Sequence, residues 1–411
     1  MKDYRFLQQK YLVNTYRDRG LTFVGGEGVF LLDTAGEKYL DLMANYGVSI
    51  FGYSPPRIME ALREQMAKLI VLHGSFNNDA RAEAAENLVK RCGSGLSRVY
   101  FSNSGSEAVE AALKFAVLAT GKKKFIVCRN GYHGKTLGAL SATSARAYRD
   151  PFEPLLWAFQ VIDYDDVPQL EAALEDGIAA VLLEPIQGEG GINVPRPGYL
   201  KKVKEACLAR NILMIVDEIQ TGAGRTGYFL ASEPDGAAGD ILCLGKGLAG
   251  GLPIGATLIS PKVAEKIPKG IHTSTFGGNP LALAGVSAAL EMLDALLLKH
   301  IRDRGAYFLE RLKRIDSEVI REIRGRGLMI GVEVESKRDA ILQSLQKEHI
   351  LAAPAGDSVI RFLPPYIIGQ NHIDRATEAL TMILRRLKDK GPDPHGSRIP
   401  ISRGEIPCAG S

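Results

Sequence analysis

The sequence predicts an α/β fold, a large domain with a mostly parallel central sheet joined to a smaller α+β domain. Three observations carry the prediction. Between about residues 55 and 285 short apolar runs alternate with helical patterns, no internal repeat interrupts them, and beyond that stretch the pattern changes character. Strands that alternate with helices of this length are joined by crossovers, which align the strands in parallel. A chain of 411 residues suits two domains better than one.

The first twenty residues are charged throughout and lack an apolar stretch, so no secretory leader is expected. Residues 26–41 predict a hairpin, two apolar runs around the turn-forming Asp33-Thr34-Ala35-Gly36-Glu37. This N-terminal segment, residues 1–54, is expected to pack with the small domain. Residues 55–285 form the large domain, with strands expected at 99–101, 125–127, 179–183, 212–216, 241–244 and 256–259. In such sheets ligands bind beyond the carboxyl ends of the strands. Residues 286–390 form the small domain. A helical stretch over about 281–315 leads to a strand at 325–334 entered through glycines, and a later strand at 359–363 is stopped by Pro364 and Pro365. A final helix carries Ile373, Ala376, Leu380, Ile383 and Leu387 at helical spacing. Prolines and glycines leave residues 391–411 nothing to pack, and that tail is expected to be disordered.

Composition narrows the function. With 45% hydrophobic and 24% charged residues the chain reads as soluble and globular, and no apolar run approaches the about 20 residues that cross a bilayer. Five scattered cysteines, Cys92, Cys128, Cys207, Cys243 and Cys408, form neither a zinc pattern nor a disulfide framework and suit a reducing cytoplasm. Neither a metal site nor membrane contact is expected. A net charge of +4 is too mild for nucleic-acid binding, though it admits an acidic protein partner.

Four segments carry chemistry. In Ser102-Asn103-Ser104-Gly105-Ser106-Glu107 an apolar strand turns into an alanine-rich helix, and Ser104 with Glu107 has the spacing of a capping box. The helix start at Gly105 and Ser106 offers unpaired N–H groups and a hydroxyl, a seat for phosphate, or it is simply a capped helix. In Asn130-Gly131-Tyr132-His133-Gly134-Lys135-Thr136 an aromatic residue at a strand end can lie against a ring, or be buried in a turn. Asp217-Glu218-Ile219-Gln220 ends an apolar strand with an acid, which can hold a pyridine nitrogen protonated, cap the next element, or bind Mg²⁺. Lys246, walled by Gly245 and Gly247 after an apolar strand, can be a desolvated amine that forms an imine with a carbonyl, a phosphate-binding lysine, or a loop lysine. No G-x-x-x-x-G-K-[ST] pattern supports the phosphate alternative.

With Glu184-Pro185-Ile186-Gln187-Gly188-Glu189-Gly190-Gly191, Thr275-Phe276-Gly277-Gly278-Asn279-Pro280 and Ile360-Arg361-Phe362-Leu363-Pro364-Pro365, these segments make the sequence resemble the class III, fold-type I aminotransferases over about residues 10–388. It is most similar to the acetylornithine aminotransferase branch, including its lysine-biosynthetic relatives that act on carrier-linked substrates. The resemblance implies a seven-stranded type of central sheet and pyridoxal 5′-phosphate as cofactor. It implies that Lys246 carries the cofactor as a Schiff base and shuttles the proton, that Asp217 pairs with the pyridinium nitrogen, and that Gln220 reaches the phenolic oxygen. Tyr132 would stack on the ring. Gly105 and Ser106 would hold the phosphate with Thr275 of a neighbouring subunit, which implies a homodimer with shared active sites. Arg361 would grip a substrate carboxylate bidentately, and Glu189 would pair with Arg361 when that carboxylate is absent.

Two departures bear on the substrate. Lys135 stands where many members of the family have an arginine that contacts the substrate's distal carboxylate, and lysine cannot make the arginine fork. Tyr46 and Tyr16 stand where ornithine δ-aminotransferases carry tyrosines, and the resemblance implies that Ser274 would contribute to the same substrate pocket. The expected reaction is ping-pong transamination of the ω-amine of an N-acylated diamino acid to 2-oxoglutarate, giving a semialdehyde and glutamate. The alternatives are a donor linked to an acidic carrier protein in lysine biosynthesis, free ornithine or a diamine, or an aminomutase of the same family.

Overall fold

A computed structural model describes residues 2–93 and 95–389. Its centre is a seven-stranded sheet in the order Arg98–Ser102, Gly255–Ile259, Ile241–Leu244, Leu213–Asp217, Ile178–Leu183, Lys124–Cys128, Ala158–Ile162. Only Gly255–Ile259 runs against its neighbours. The six remaining strands therefore point the same way, and their carboxyl ends share one edge. The six strands expected from the sequence are all present. The seventh, Ala158–Ile162, lies at the sheet's border, and four of its five residues are not fully buried, so it lacks the continuous apolar run that marks the others.

Alternate residues of the inner strands feed two separate cores. Phe125, Val127, Ala180, Leu182, Ile215 and Cys243 face the helix Gly105–Thr120, whereas Ile126, Cys128, Val181, Leu183, Val216 and Leu244 belong to the core that holds the helix Pro280–Met292. Burial on both faces is why these strands read as unbroken apolar runs rather than alternating ones. The expected α/β fold, with its mostly parallel central sheet, is borne out.

The N-terminal hairpin is present as Phe30–Asp33 and Lys38–Asp41, extended by Phe23–Glu27. Its turn is held by the Asp33 carboxylate, which accepts from the N–H groups of Ala35 at 2.8 Å and Glu37 at 2.9 Å. Ile350–Leu351 then joins Lys38–Asp41 in parallel, which ties the start of the chain to its last third. Two expectations need correction there. The single helical stretch over 281–315 is two helices, Pro280–Met292 and Ala295–Lys313, bent by 73°. The break is made by Asp294, whose carboxylate caps the second helix by accepting from Leu297 N–H at 2.7 Å. The glycines at 325 and 327 do not introduce a strand but turn one into another, because Ile320–Arg326 pairs antiparallel with Met329–Val334. The expected tail at 391–411 lies outside the described residues.

The turn between Ile320–Arg326 and Met329–Val334 is tied to the loop that follows Leu213–Asp217 by Arg225, a fully buried guanidinium. Its Nη1 donates to the carbonyls of Leu328 at 3.0 Å and Pro364 at 2.6 Å, Leu328 N–H returns a bond to the Arg225 carbonyl at 3.0 Å, and the guanidinium lies 4.7 Å from the centre of the Tyr366 ring. Replacing Arg225 with alanine strands two carbonyls and opens a cavity. Arg225→Ala is expected to lower stability by about 3 kcal/mol, read as a fall in the urea midpoint.

Candidate active site

The shared carboxyl edge of the sheet opens onto a cavity of about 220 Å³ lined by Gly105, Ser106, Tyr132, Asp217, Gln220 and Lys246 among others. One end is the first turn of the helix Gly105–Thr120. Ser104 Oγ accepts from Glu107 N–H at 3.2 Å, and the Glu107 carboxylate accepts from Asn103 N–H at 2.8 Å, so the turn is tied from outside and its own N–H groups face the cavity edge. Ser106 Oγ accepts from Lys135 N–H at 3.0 Å. The approach is so close at Gly134 that an added Cβ would lie 1.9 Å from Ser106 Oγ.

Asp217, the last residue of its strand, is buried. Its Oδ1 accepts from Ile219 N–H at 3.0 Å, and its Oδ2 lies 2.7 Å from Nδ1 of His133, also buried. Burial works against a charged imidazole, but the hydrogen bond and charge of Asp217 outweigh it and raise the His133 pKa. Glu184, at the end of the neighbouring strand, accepts from Tyr132 N–H and Gly188 N–H, each at 3.0 Å. Burial pushes its carboxyl up to about 7. Glu218 does not join this group. Its side chain points the other way, to Thr221 Oγ1 at 2.5 Å, Ala231 N–H at 3.0 Å, and the N–H and hydroxyl of Ser232 at 2.9 and 2.8 Å. An adjacent Asp-Glu pair for a metal is therefore not assembled.

Lys246 begins a short 3-10 turn after Ile241–Leu244, with φ at +47°. A lysine in this left-handed region costs about 1–2 kcal/mol, strain of the kind that collects at functional sites. Burial lowers its pKa, while the charges of Glu189 and Asp217 act in the opposite sense. A second strained turn lies beside it. Ala44, Asn45 and Tyr46 all have positive φ, and an added Cβ on Gly47 would come within 3.9 Å of Lys246 Cδ.

Arg361 is fully buried on the strand Val359–Phe362. Its guanidinium meets Glu189 Oε1 at 2.9 Å, Gln220 Oε1 at 3.2 Å and the Pro354 carbonyl at 3.1 Å, and lies 5.4 Å from the centre of the Tyr46 ring. Thus the sequence-predicted Gly105, Ser106, Tyr132, Asp217, Gln220, Lys246, Glu189, Arg361 and Tyr46 come together. Lys135 sits at the margin, its ammonium 4.6 Å from the centre of the Tyr148 ring. Ser274 reaches the helix start through Asn103, whose Nδ2 donates to its Oγ at 3.3 Å. Thr275 is exposed and lies outside the cavity of its own chain. Tyr16 stands apart from this group: it is 88% exposed and lines a separate cleft with Arg5, Asp18 and Phe23.

A model of the class-III aminotransferases matches residues 14–384. This chain belongs to that family. The aminotransferase is 42% identical over 93% of its length to the acetylornithine aminotransferase of Methanopyrus kandleri, 99% of which is covered. It is 40% identical over 89% of its length to the [LysW]-aminoadipate semialdehyde/glutamate semialdehyde transaminase of Sulfurisphaera tokodaii, 95% of which is covered. Among solved structures it resembles the ornithine aminotransferase of Toxoplasma gondii, with a TM-score of 0.90 at 37% identity, covering 94% of this chain and 96% of that one. A further structure of that Toxoplasma gondii enzyme shows partial occupancy of PLP at its active site. The family resemblance carried by the sequence is borne out.

Three residues of the site are not singled out by the sequence motifs. Glu184 has the same signal as Asp217, an acid directly after a wholly apolar strand. His133 stands in its motif only as a neighbour of Tyr132, although a histidine between glycine-flanked positions at this edge is a candidate in itself. Tyr148 lies on the short helix Arg146–Arg149 and has no local signal.

Glu184 makes a pH prediction. Because its folded-state pKa is raised, from an ordinary 4.5 to about 7, its contribution to stability is full below the lower value and is lost as pH rises through the upper one. Chemical denaturation at pH 5, 6, 7 and 8 is expected to show a steeper fall for the native protein than for Glu184→Gln across that window.

Proposed function

We propose that this chain is a pyridoxal-phosphate aminotransferase that moves the ω-amino group of an N-acylated diamino acid to 2-oxoglutarate. One observation carries the reading: Lys246 shares a single cavity with Asp217 and with the helix start at Gly105 and Ser106. The cavity fits the cofactor's parts. It offers N–H groups for a phosphate at one end, a buried carboxylate for a ring nitrogen and an amine of lowered pKa, while Gly134 keeps the phosphate end closely walled.

When bound, pyridoxal phosphate supplies a carbonyl to receive the amine and a ring that draws electrons from the carbon losing its proton. The protein does the rest. Asp217, held by His133 and Ile219 N–H, keeps a negative charge fixed at the ring-nitrogen end. Lys246, its amine more readily neutral at physiological pH than an ordinary lysine's, takes the proton from the substrate carbon and returns it. Arg361 offers its planar fork to the α-carboxylate of glutamate or 2-oxoglutarate. Glu189 at 2.9 Å covers that buried charge when no such carboxylate is bound, which supports its part as a switch between the two substrates.

The active unit is a homodimer with shared sites. Ile70, Val71, Phe76, Ile271 and Phe276 are exposed apolar residues. Arg81 ties their two segments together by donating to the carbonyls of Leu72, Phe76 and Gly278. A patch of this kind marks an interface, and the exposed Thr275 is adjacent to Phe276 in it, which supports its serving the neighbouring cavity. In the alternative reading the donor is linked to an acidic carrier protein. Its support is the near-equal identity, 40% against 42%, to the relative named for LysW-linked semialdehydes. A panel of donors with 2-oxoglutarate held constant, carrier-linked lysine included, separates the two. The four described cysteines are buried and free, which supports work in a reducing cytoplasm.

Two experiments test the proposal. Glutamate added to the purified holoenzyme is expected to convert the visible cofactor band to the amine form, and Lys246→Ala is expected to abolish borohydride fixation of the cofactor. A band indifferent to glutamate, or fixation that survives the substitution, overturns the assignment. For the dimer, co-expressed Lys246→Ala and Thr275→Ala chains are expected to regain up to half the native activity per mixed dimer, since one site then holds both native residues. If both residues served the same chain's cavity, mixing would restore nothing.

A further inference from the structure

Two cations stand beside the cavity, and they differ in one respect. Arg361 is neutralised by Glu189 at 2.9 Å. Lys135 has no such partner: among the described residues no carboxylate forms an ion pair with it, and its ammonium rests instead on the face of Tyr148, 4.6 Å from the ring centre. The lysine is held at both ends, because its own N–H is bonded to Ser106 Oγ at 3.0 Å beside the helix start. The ring contact limits the rotamer freedom that a solvated lysine would lose on binding an anion.

Tyr148 is itself tied into the site. Its ring meets Tyr132 edge-on at 6.0 Å and 75°, and the charges of Glu189 and Arg361 both act on its phenol. It is also 40% exposed on a four-residue helix, so it is not locked into a packed core.

We propose that Tyr148 is a specificity-determining residue: it poises the unpaired Lys135 ammonium to receive a carboxylate at the end of the amino donor opposite the reacting amine, so that donors lacking that carboxylate are discriminated against. This rests on the transaminase reading above. A ring under the ammonium compensates for the missing arginine fork. The lysine lacks two fixed donors in a plane, but a preplaced point charge still selects for an anion.

The test uses the holoenzyme with 2-oxoglutarate as acceptor and two donors, N-acetylornithine and N-acetylputrescine, which is the same amine without the carboxylate. Native enzyme is expected to favour the first. Tyr148→Leu is expected to raise KM for N-acetylornithine about fivefold, the upper scale of an exposed cation–π contact, with kcat and the N-acetylputrescine parameters within about twofold of native. Tyr148→Phe, which keeps the ring, is expected to behave as native. Equal losses on both donors, an unchanged KM in Tyr148→Leu, or a Phe variant as impaired as the Leu variant overturns the proposal. Failure of the underlying reading is told apart at once, because the native holoenzyme would then transaminate neither donor and its band would not respond to glutamate.

Discussion

A parallel sheet covered on both faces has no room for charge along its strands, and this constraint arranges the rest of the molecule. From Ile178 to Leu183 and from Leu213 to Val216 every residue is apolar and buried. An uncompensated carboxylate or ammonium there would cost several kilocalories per mole. The charged groups are accordingly found where the strands stop: Glu184, Asp217, Lys246 and, one loop on, His133. Because six strands point the same way, their ends fall on a single edge and the charges meet. The site is thus a consequence of how the sheet is built.

The meeting is tolerable because the charges complete one another. Asp217 has His133 and a backbone N–H, Glu184 has two backbone N–H groups, and Arg361 has Glu189, Gln220 and a carbonyl. Lys246 is the exception. Among the described residues it has no hydrogen-bonded acid of its own, and burial depresses its pKa. Its left-handed backbone, with the left-handed turn at Ala44, Asn45 and Tyr46 packed nearby, shows that conformational strain is concentrated beside the same amine. A lysine that is poorly solvated, unpaired and held in a sparsely populated conformation is poised for chemistry rather than for stability.

Much of this is legible in the amino-acid sequence. The strands at 179–183 and 212–216 announce themselves because burial on both faces demands an unbroken apolar run, and Asp217 and Lys246 follow from their positions after such runs. The capping pair Ser104 and Glu107 set the helix start to the residue. The features that the sequence conceals have local causes. Ala158–Ile162 is half-exposed and so lacks the run. The break at Asp294 rests on a cap inside an otherwise continuous helical pattern, and the glycines near 327 serve equally to begin a strand or to turn one. Tyr16 matches a family pattern by position alone, and nothing in its own surroundings brings it to the cavity.

The sequence by itself determined the α/β class, the strands that read as unbroken apolar runs, the family, and the residues whose role follows from lying at the end of a buried strand. These are properties of periodicity and of short segments, and a chain carries them locally. Only the tertiary structure decided that His133 stands against Asp217, that Arg361 and Glu189 close on each other across 172 positions of chain, and that Tyr148 lies under Lys135. Such pairs are chosen by which loops converge at one sheet edge, and the direction of a side chain across that convergence has no counterpart in the spacing of residues along the chain.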